Sequence, residues 1–182
     1  CNNTIINATS YGIGINTALI NSTVENNHII NAIKGIQLKP SVSSSTLIKS
    51  TCRITGNTVN AEIPLTIYGL ELSQITGNKC VATVDNKPII DIYGIQKSNI
   101  DKNTLVGKTN SIGIKINPLS LTDPRDSSVY TYICSLNNIA RNVFDTMLKA
   151  IVVTDNSSII DTRIIGNIYS AVTTKYDLTS AY

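Results

Sequence analysis

The sequence predicts an all-β protein, a single-stranded parallel β-helix (a solenoid) of about 6–7 coils with an asparagine ladder. Three observations favour this fold class. A motif of the form I-x-x-N-x-I returns along the chain at a nearly regular interval. A short alternating apolar segment precedes most copies of the motif. The apolar residues are mainly β-branched, with 30 Ile against 12 Leu, which suits a pleated surface better than a helix.

Seven asparagines mark the centres of the motif, and their spacing defines the repeat. Successive asparagines are 24, 30, 21, 25, 39 and 25 residues apart, so a unit of about 21–25 residues carries two longer insertions. Self-similarity at such a period is typical of a solenoid. The asparagines are Asn3, Asn27, Asn57, Asn78, Asn103, Asn142 and Asn167.

Other repeat architectures do not fit the residue types. A leucine-rich repeat needs a large apolar residue five positions before the asparagine, where this chain has small or polar residues. Helical repeats need an apolar stripe at i, i+3, i+4 and i+7, which no window of the sequence provides. A coil of three short parallel strands remains. The residues five positions before the asparagines are Ser22, Cys52, Ser73, Ser98, Asn137 and Thr162.

The first strand of each coil is predicted from segments such as Leu65-Thr66-Ile67 and Ile90-Asp91-Ile92. Side chains alternate between the two faces of a strand, so the Ile and Leu residues should point into the core and the middle residue outwards. The expected outward row reads Gly14, Gln37, Thr66, Asp91, Lys115 and Val152.

The asparagine is predicted to lie in a tight turn between the second and third strands, where it tolerates a strained backbone and bonds its neighbours. Coils stacked about 4.8 Å apart would align these amides as a ladder. This arrangement resembles the right-handed parallel β-helix of the pectate-lyase-like superfamily, which includes phage tailspikes. We expect residues 1–169 to form an N-terminally incomplete β-helix. Residues 170–182 lack the asparagine pattern, so we expect them to leave the solenoid as a C-terminal cap or tail.

Composition makes several classes of partner improbable. The net charge of +3 is spread evenly without a run of Lys or Arg, so we expect no nucleic-acid partner. No apolar stretch approaches the ~18 residues of a membrane span, so we expect no membrane insertion. The four cysteines form no C-x-x-C pair and His28 has no cysteine near it, so we expect neither a metal site nor a cofactor. Cys52 and Cys80 are interpreted as small core residues.

The outward row of the first strand is the first candidate site. Glycoside hydrolysis needs two carboxylates, whereas this row has one, Asp91, with Lys115 one coil away. One interpretation is a solvated face with a cross-strand ion pair. The other is a polar groove in which Gln37, Thr66, Asp91 and Lys115 bind sugar hydroxyls. Asp91 is the best single candidate for a general acid or base, with its partner supplied from elsewhere.

The insertions at residues 39–50 and 117–134 are the second candidate. Both follow the first strand and should emerge along one edge of the helix, and loops on a rigid scaffold often carry function. The second insertion combines charged residues with tyrosines, a common way to hold carbohydrate; a loop that packs against a neighbouring subunit is the alternative. Its candidate substrate-binding residues are Asp123, Arg125, Asp126, Tyr130 and Tyr132.

Three functional hypotheses follow from these observations. The favoured one is a phage tailspike or appendage of the virion, a homotrimer that recognises a host cell-surface polysaccharide with or without cleaving it. The second is part of a secreted polysaccharide lyase, hydrolase or epimerase, and the third is a non-catalytic surface adhesin. The sequence leaves open whether the protein is an enzyme, because its acids form no paired-carboxylate signal.

Overall fold

The computed structural model describes residues 2–39, 50–122, 129–132, 134–154 and 159–178, and it confirms the predicted fold class. These residues form a parallel β-solenoid of about six turns and contain no helix. It follows that this part of the chain has no helix long and apolar enough to cross a membrane.

Twenty strands occur in the described part of the chain. In chain order they are β1 (Thr4–Ile6), β2 (Tyr11–Ile15), β3 (Ile20–Glu25), β4 (His28–Leu38), β5 (Thr51–Thr55), β6 (Thr58–Glu71), β7 (Gln74–Thr76), β8 (Lys79–Ala82), β9 (Pro88–Gln96), β10 (Asn99–Asp101), β11 (Thr104–Val106), β12 (Ile112–Asn117), β13 (Leu119–Thr122), β14 (Val129–Tyr132), β15 (Cys134–Ser135), β16 (Asn138–Ala140), β17 (Val143–Val153), β18 (Ile159–Ile160), β19 (Arg163–Ile165) and β20 (Ile168–Leu178).

Two sheets enclose the core. The long sheet has 12 strands, and the short sheet has six strands in the order β19-β16-β10-β7-β5-β3. In β4, β6, β17 and β20 the third strand of one coil continues into the first strand of the next. Where these long strands occur, a coil has two strands instead of the three separate strands that were expected. In β4 and β17 the chain bends within the strand, at the positive φ angles of Asn31 (59°) and Thr146 (53°).

The core consists of aligned rows of aliphatic side chains, one residue per coil. Ile54, Ile75, Ile100 and Ile139 stack in the short sheet and are fully buried. The third strands contribute a second row that includes Val59, and Cys80 lies in it as predicted. Burial raises the pKa of the Cys80 thiol to about 12. Cys52, Cys80 and Cys134 are all free and buried.

The asparagine ladder is confirmed, and its turn differs in one detail from the prediction. The ladder residues have ordinary backbone angles, and the positive φ falls on the residue just before each of them. Glycine at Gly56 (63°) and Gly77 (65°) adopts this conformation without steric cost, whereas Lys102 (55°) and Arg141 (53°) adopt it as non-glycine residues. The asparagine side chain is thereby left free to bond along the stack.

The C-terminal segment also differs from the prediction. Strand β20 pairs in parallel with β17 from Ile168 to Leu178, so the solenoid continues past the expected boundary at residue 169. Backbone hydrogen bonds to β17 hold this strand in the solenoid, even though its sequence lacks a further asparagine motif. Residues 179–182 lie outside the described residues.

Candidate functional site

The predicted outward row of the first strand forms in the structure. Strand pairing places Gln37 beside Thr66, Thr66 beside Asp91, and Asp91 beside Lys115. Gly14 precedes this set and Val152 follows it, in the expected order. We call Gln37, Thr66, Asp91 and Lys115 the Asp91 row.

The side chains of the Asp91 row are more deeply buried than the solvated face that one interpretation of the sequence predicted. The exposed fraction is 4% for Gln37, 2% for Thr66 and 8% for Asp91, whereas Lys115 is half-buried. Gln37 has a partner, because Lys34 Nζ donates to its Oε1 at 3.1 Å. Three buried polar side chains on consecutive coils therefore form a desolvated strip, and neither interpretation of the sequence anticipated this.

Asp91 is held by two neutral donors rather than by an ion pair. The Tyr93 hydroxyl donates to Oδ2 at 3.0 Å, and Asn117 Nδ2 donates to Oδ1 at 3.0 Å. Burial raises the pKa of the Asp91 carboxyl above its ordinary value, although both hydrogen bonds and the charges of Lys115 and Lys34 lower it. In the described part of the chain Lys115 acts on Asp91 through its charge and makes no ion-pair contact with it. The predicted cross-strand ion pair is therefore absent there.

Thr66 carries an unsatisfied polar group in the middle of the row. Its hydroxyl is buried and has no hydrogen-bond partner, with Gln37 on one side and Asp91 on the other. Buried polar groups are nearly always hydrogen-bonded, because leaving one unpaired costs about 1–3 kcal/mol. The hydroxyl oxygen is itself shielded from solvent, so a ligand atom would reach it only if the side chains around it moved aside.

Two tyrosines form a stacked pair beside the row. The rings of Tyr68 and Tyr93 are 4.5 Å apart between centroids and 5° from parallel. Both side chains are half-buried, and Lys39 Nζ lies 5.6 Å from the centroid of the Tyr68 ring. Desolvation by burial raises the pKa of both phenols, so the pair stays neutral at ordinary pH. A neutral aromatic platform thus flanks the hydrogen-bonding strip.

Sequence reasoning missed Asn117, Tyr93 and Tyr68 as members of this site. Tyr93 aligns with Tyr68 in one coil and with Asn117 in the next, so the three residues form a parallel row of their own. The signal was present in the sequence, because Tyr68 and Tyr93 stand two positions after Thr66 and Asp91 on the same face of each strand. Thr154 Oγ1 donates to Asn117 Oδ1 at 3.2 Å, and this contact orients the amide towards Asp91.

The candidate residues of the second insertion are only partly covered by the structure. Asp123, Arg125 and Asp126 lie outside the described residues. Tyr130 and Tyr132 lie in β14, which pairs antiparallel with β13, so the insertion contains a hairpin. The hairpin begins two residues after Asn117, which places its base next to the Asp91 row.

In the part of the chain that the structure describes, the Asp91 row holds no second carboxylate close to Asp91. The next carboxylate along the row is Asp177, three coils beyond Asp91, or about 14 Å at the usual strand spacing. Paired glycosidase carboxylates lie roughly 5–10 Å apart. The described residues also contain no group of three or more potential metal ligands. What they do present is a set of hydrogen-bonding groups beside an aromatic pair.

Comparisons with protein-family models, with curated proteins and with solved structures found no match to this chain.

Proposed function

We propose that this chain is the β-helix portion of a phage tailspike or a similar receptor-binding appendage, and that the Asp91 row binds a host cell-surface polysaccharide. The observation that carries this proposal is the unpartnered, buried hydroxyl of Thr66 between Gln37 and Asp91. A sugar hydroxyl both donates and accepts hydrogen bonds, so it would satisfy Thr66 and reach the neighbouring amide or carboxyl once the side chains that shield this row have moved aside.

The tyrosine pair supports the same class of ligand. Sugar rings have an apolar face of C–H groups that packs on aromatic rings, and small-ligand sites combine such surfaces with a few fixed polar groups. Lys39 Nζ lies over the Tyr68 ring, 5.6 Å from its centroid. Its flexible side chain would move aside for a sugar ring, since an exposed cation–π contact is worth only about 0.5–1 kcal/mol.

Binding without cleavage by the described residues is the form of the hypothesis that the geometry supports best. Asp91 would accept or donate a hydrogen bond to the ligand, and no second carboxylate of the row lies within glycosidase distance. A depolymerase activity would need a further acid, for which Asp123 and Asp126 remain candidates.

The test is a panel of host capsular and cell-wall polysaccharides, with binding and chain cleavage measured separately on the intact protein. Thr66→Val, Tyr68→Ala and Asp91→Asn are expected to weaken binding by at least about tenfold each. Glu62→Gln, which changes a carboxylate outside the row, is the matched control and should bind normally. Unchanged binding in all three variants would remove this face from consideration.

Assembly and location form a separate part of the proposal. Resemblance to tailspikes implies a homotrimer with cyclic symmetry and a location on the virion tail or another extracellular surface. Light scattering of the intact protein tests the assembly: a mass of three chains supports the proposal, and a monomer contradicts it.

A further inference from the structure

The outer face of the short sheet carries a second polar row that the Asp91 proposal does not use. In each strand of the short sheet, the residue just before the inward-facing Ile or Val of the repeat points outwards, and strand pairing aligns these residues across all six strands. From β3 to β19 the row consists of Thr23, Arg53, Gln74, Asn99, Asn138 and Arg163.

Three cavities lie along this row and share their walls. A cavity of about 380 Å³ at Arg53 shares Gln74 with a cavity of about 200 Å³. That cavity shares Asn99, Asn138 and Arg141 with a cavity of about 640 Å³ that extends to Arg163. The three cavities therefore adjoin one another along the row, and we call the strip that they cover on the short sheet the axial groove. Five intervals of about 4.8 Å give it a length of roughly 24 Å.

The polar side chains of the axial groove have unused hydrogen-bonding capacity. In the part of the chain that the structure describes, the amides of Gln74, Asn99 and Asn138 make no side-chain hydrogen bond. The guanidinium groups of Arg53 and Arg163 likewise form no ion pair there. Side chains on a solvated surface often lack partners, so the informative feature is their alignment at one per coil beside three adjoining cavities.

The charge of the axial groove favours an anionic ligand. Arg141 forms a two-pronged ion pair with Asp101, with Nε donating to Oδ1 at 2.9 Å, so these two charges cancel. The described walls then hold two further arginines, Arg53 and Arg163, and one remaining carboxylate, Asp161, which lines the same cavity as Arg163. A guanidinium group binds a carboxylate through two parallel hydrogen bonds, which makes it the side chain best suited to an acidic sugar.

An extended sugar chain matches the axial groove better than other anionic polymers do. The groove offers one hydrogen-bonding side chain per coil, and a sugar ring is about as long as the coil spacing. Amides both donate and accept, as sugar hydroxyls do. Leu136 and Ile165 are half-exposed in the largest cavity and would contact the apolar face of a ring. A single-stranded nucleic acid would call for a basic groove with aromatic stacking platforms, and this groove has no aromatic residue in its described walls.

We propose that the axial groove binds an extended acidic polysaccharide, with successive rings lying along Gln74, Asn99 and Asn138 and a uronate-type carboxylate at Arg163. This inference takes its ligand class from the proposed function and adds the charge of the ligand and a second, separate contact surface.

The experiment measures binding of oligosaccharides to the intact protein by calorimetry. The probes are trimers and hexamers of galacturonate, mannuronate and hyaluronate, together with the carboxyl-reduced form of each hexamer. At least one acidic hexamer is expected to bind about tenfold more tightly than its trimer and than its reduced form. An oligothymidylate of matched charge is expected to bind more weakly than that hexamer.

Substitutions in the axial groove test whether the hexamer binds there. The double variant Asn99→Ala with Asn138→Ala should weaken binding of the hexamer by at least about tenfold. Arg163→Gln should abolish the preference for the acidic over the reduced hexamer, and Lys79→Gln, an exposed charge outside the groove, should leave it intact. The inference is overturned if no acidic hexamer binds, if the reduced hexamer or oligothymidylate binds as well, or if the groove variants bind normally.

The same measurements separate this inference from the proposed function. Loss of binding in Thr66→Val and Asp91→Asn but not in the groove variants would support the Asp91 row and overturn the axial groove. The opposite result would support the axial groove and overturn the Asp91 row as the binding face.

Discussion

Asn78 and Asn103 are joined by two hydrogen bonds to a single oxygen. The backbone N–H of Asn78 donates to Asn103 Oδ1 at 3.0 Å, and Asn78 Nδ2 donates to the same atom at 2.9 Å. Asn57 makes the same pair of bonds to Asn78, and Asn103 makes it to Asn142. Each ladder residue thereby fixes the register of its coil against the next one.

Replacing Asn78 by Ala should break this ladder at its centre. The backbone N–H of Asn57 would lose its buried acceptor, and Asn103 Oδ1 would lose one of its two donors. We expect the free energy of unfolding to fall by about 1–3 kcal/mol, measured by urea denaturation. Asn99→Ala, at an exposed strand position, is the control and should change stability by less than about 0.5 kcal/mol. If both substitutions lowered the free energy of unfolding equally, the ladder would make no special contribution to stability.

Gly35 and Gly14 should respond differently to the same added methyl group. A Cβ at Gly35 would overlap the Val59 side chain and the carbonyl oxygen of Pro64, whereas one at Gly14 would lie at an ordinary 3.5 Å from Tyr11. Gly35→Ala is therefore expected to lower the free energy of unfolding by about 1–3 kcal/mol. Gly14→Ala should be neutral or stabilise the fold by up to about 1 kcal/mol, because alanine restricts the unfolded chain. The stability of both variants is measured by thermal denaturation. A Gly35→Ala protein as stable as the parent would contradict the close packing of Gly35 against Val59 and Pro64.

Thr66→Val should make the protein more stable in the absence of ligand. Valine has nearly the shape of threonine and removes a buried hydroxyl that has no partner. We expect the free energy of unfolding to rise by about 1 kcal/mol, with an unchanged denaturant slope. Thr104→Val, at a half-buried position in β11, is the control for the general effect of the substitution. A loss of stability in Thr66→Val would mean that the hydroxyl is hydrogen-bonded in the free protein.

Asp91 should make the stability of the protein depend on pH in a defined direction. Burial raises the pKa of its carboxyl above the ordinary value of 3.8, so the folded state keeps the proton to higher pH than the unfolded state does. The stability contributed by this proton is present below the ordinary pKa and is lost as pH rises through the raised pKa.

Asp91→Asn removes this titration while keeping a side chain of the same shape. The variant should therefore gain stability relative to the parent as pH rises from about 4 to about 7. Urea denaturation at several pH values measures the difference, and Asp161→Asn, at an exposed position, is the control for losing one charge. A difference between variant and parent that shrinks with rising pH would contradict the raised pKa.

Local sequence was sufficient to predict the rows of this protein. Alternation with a period of two decides which face each strand residue occupies, and the repeat spacing decides which residues of successive coils are neighbours. The buried Ile54–Ile75 row, the asparagine ladder and the order Gln37, Thr66, Asp91, Lys115 all follow from these two periods. The residue types of the repeat were enough to separate a β-solenoid from helical and leucine-rich repeats.

Only the tertiary structure determined how deeply the site residues are buried and which hydrogen-bond partners they have. Asp91 meets Asn117, which is 26 residues away in the chain, and the axial groove joins residues from six strands. Desolvation, an orphaned hydroxyl and a row of adjoining cavities depend on which residues neighbouring coils place around a side chain, and the local sequence period contains no information about these neighbours. Likewise the merging of strands and the continuation of β20 to Leu178 follow from backbone pairing between coils, which the identity of individual side chains constrains only weakly.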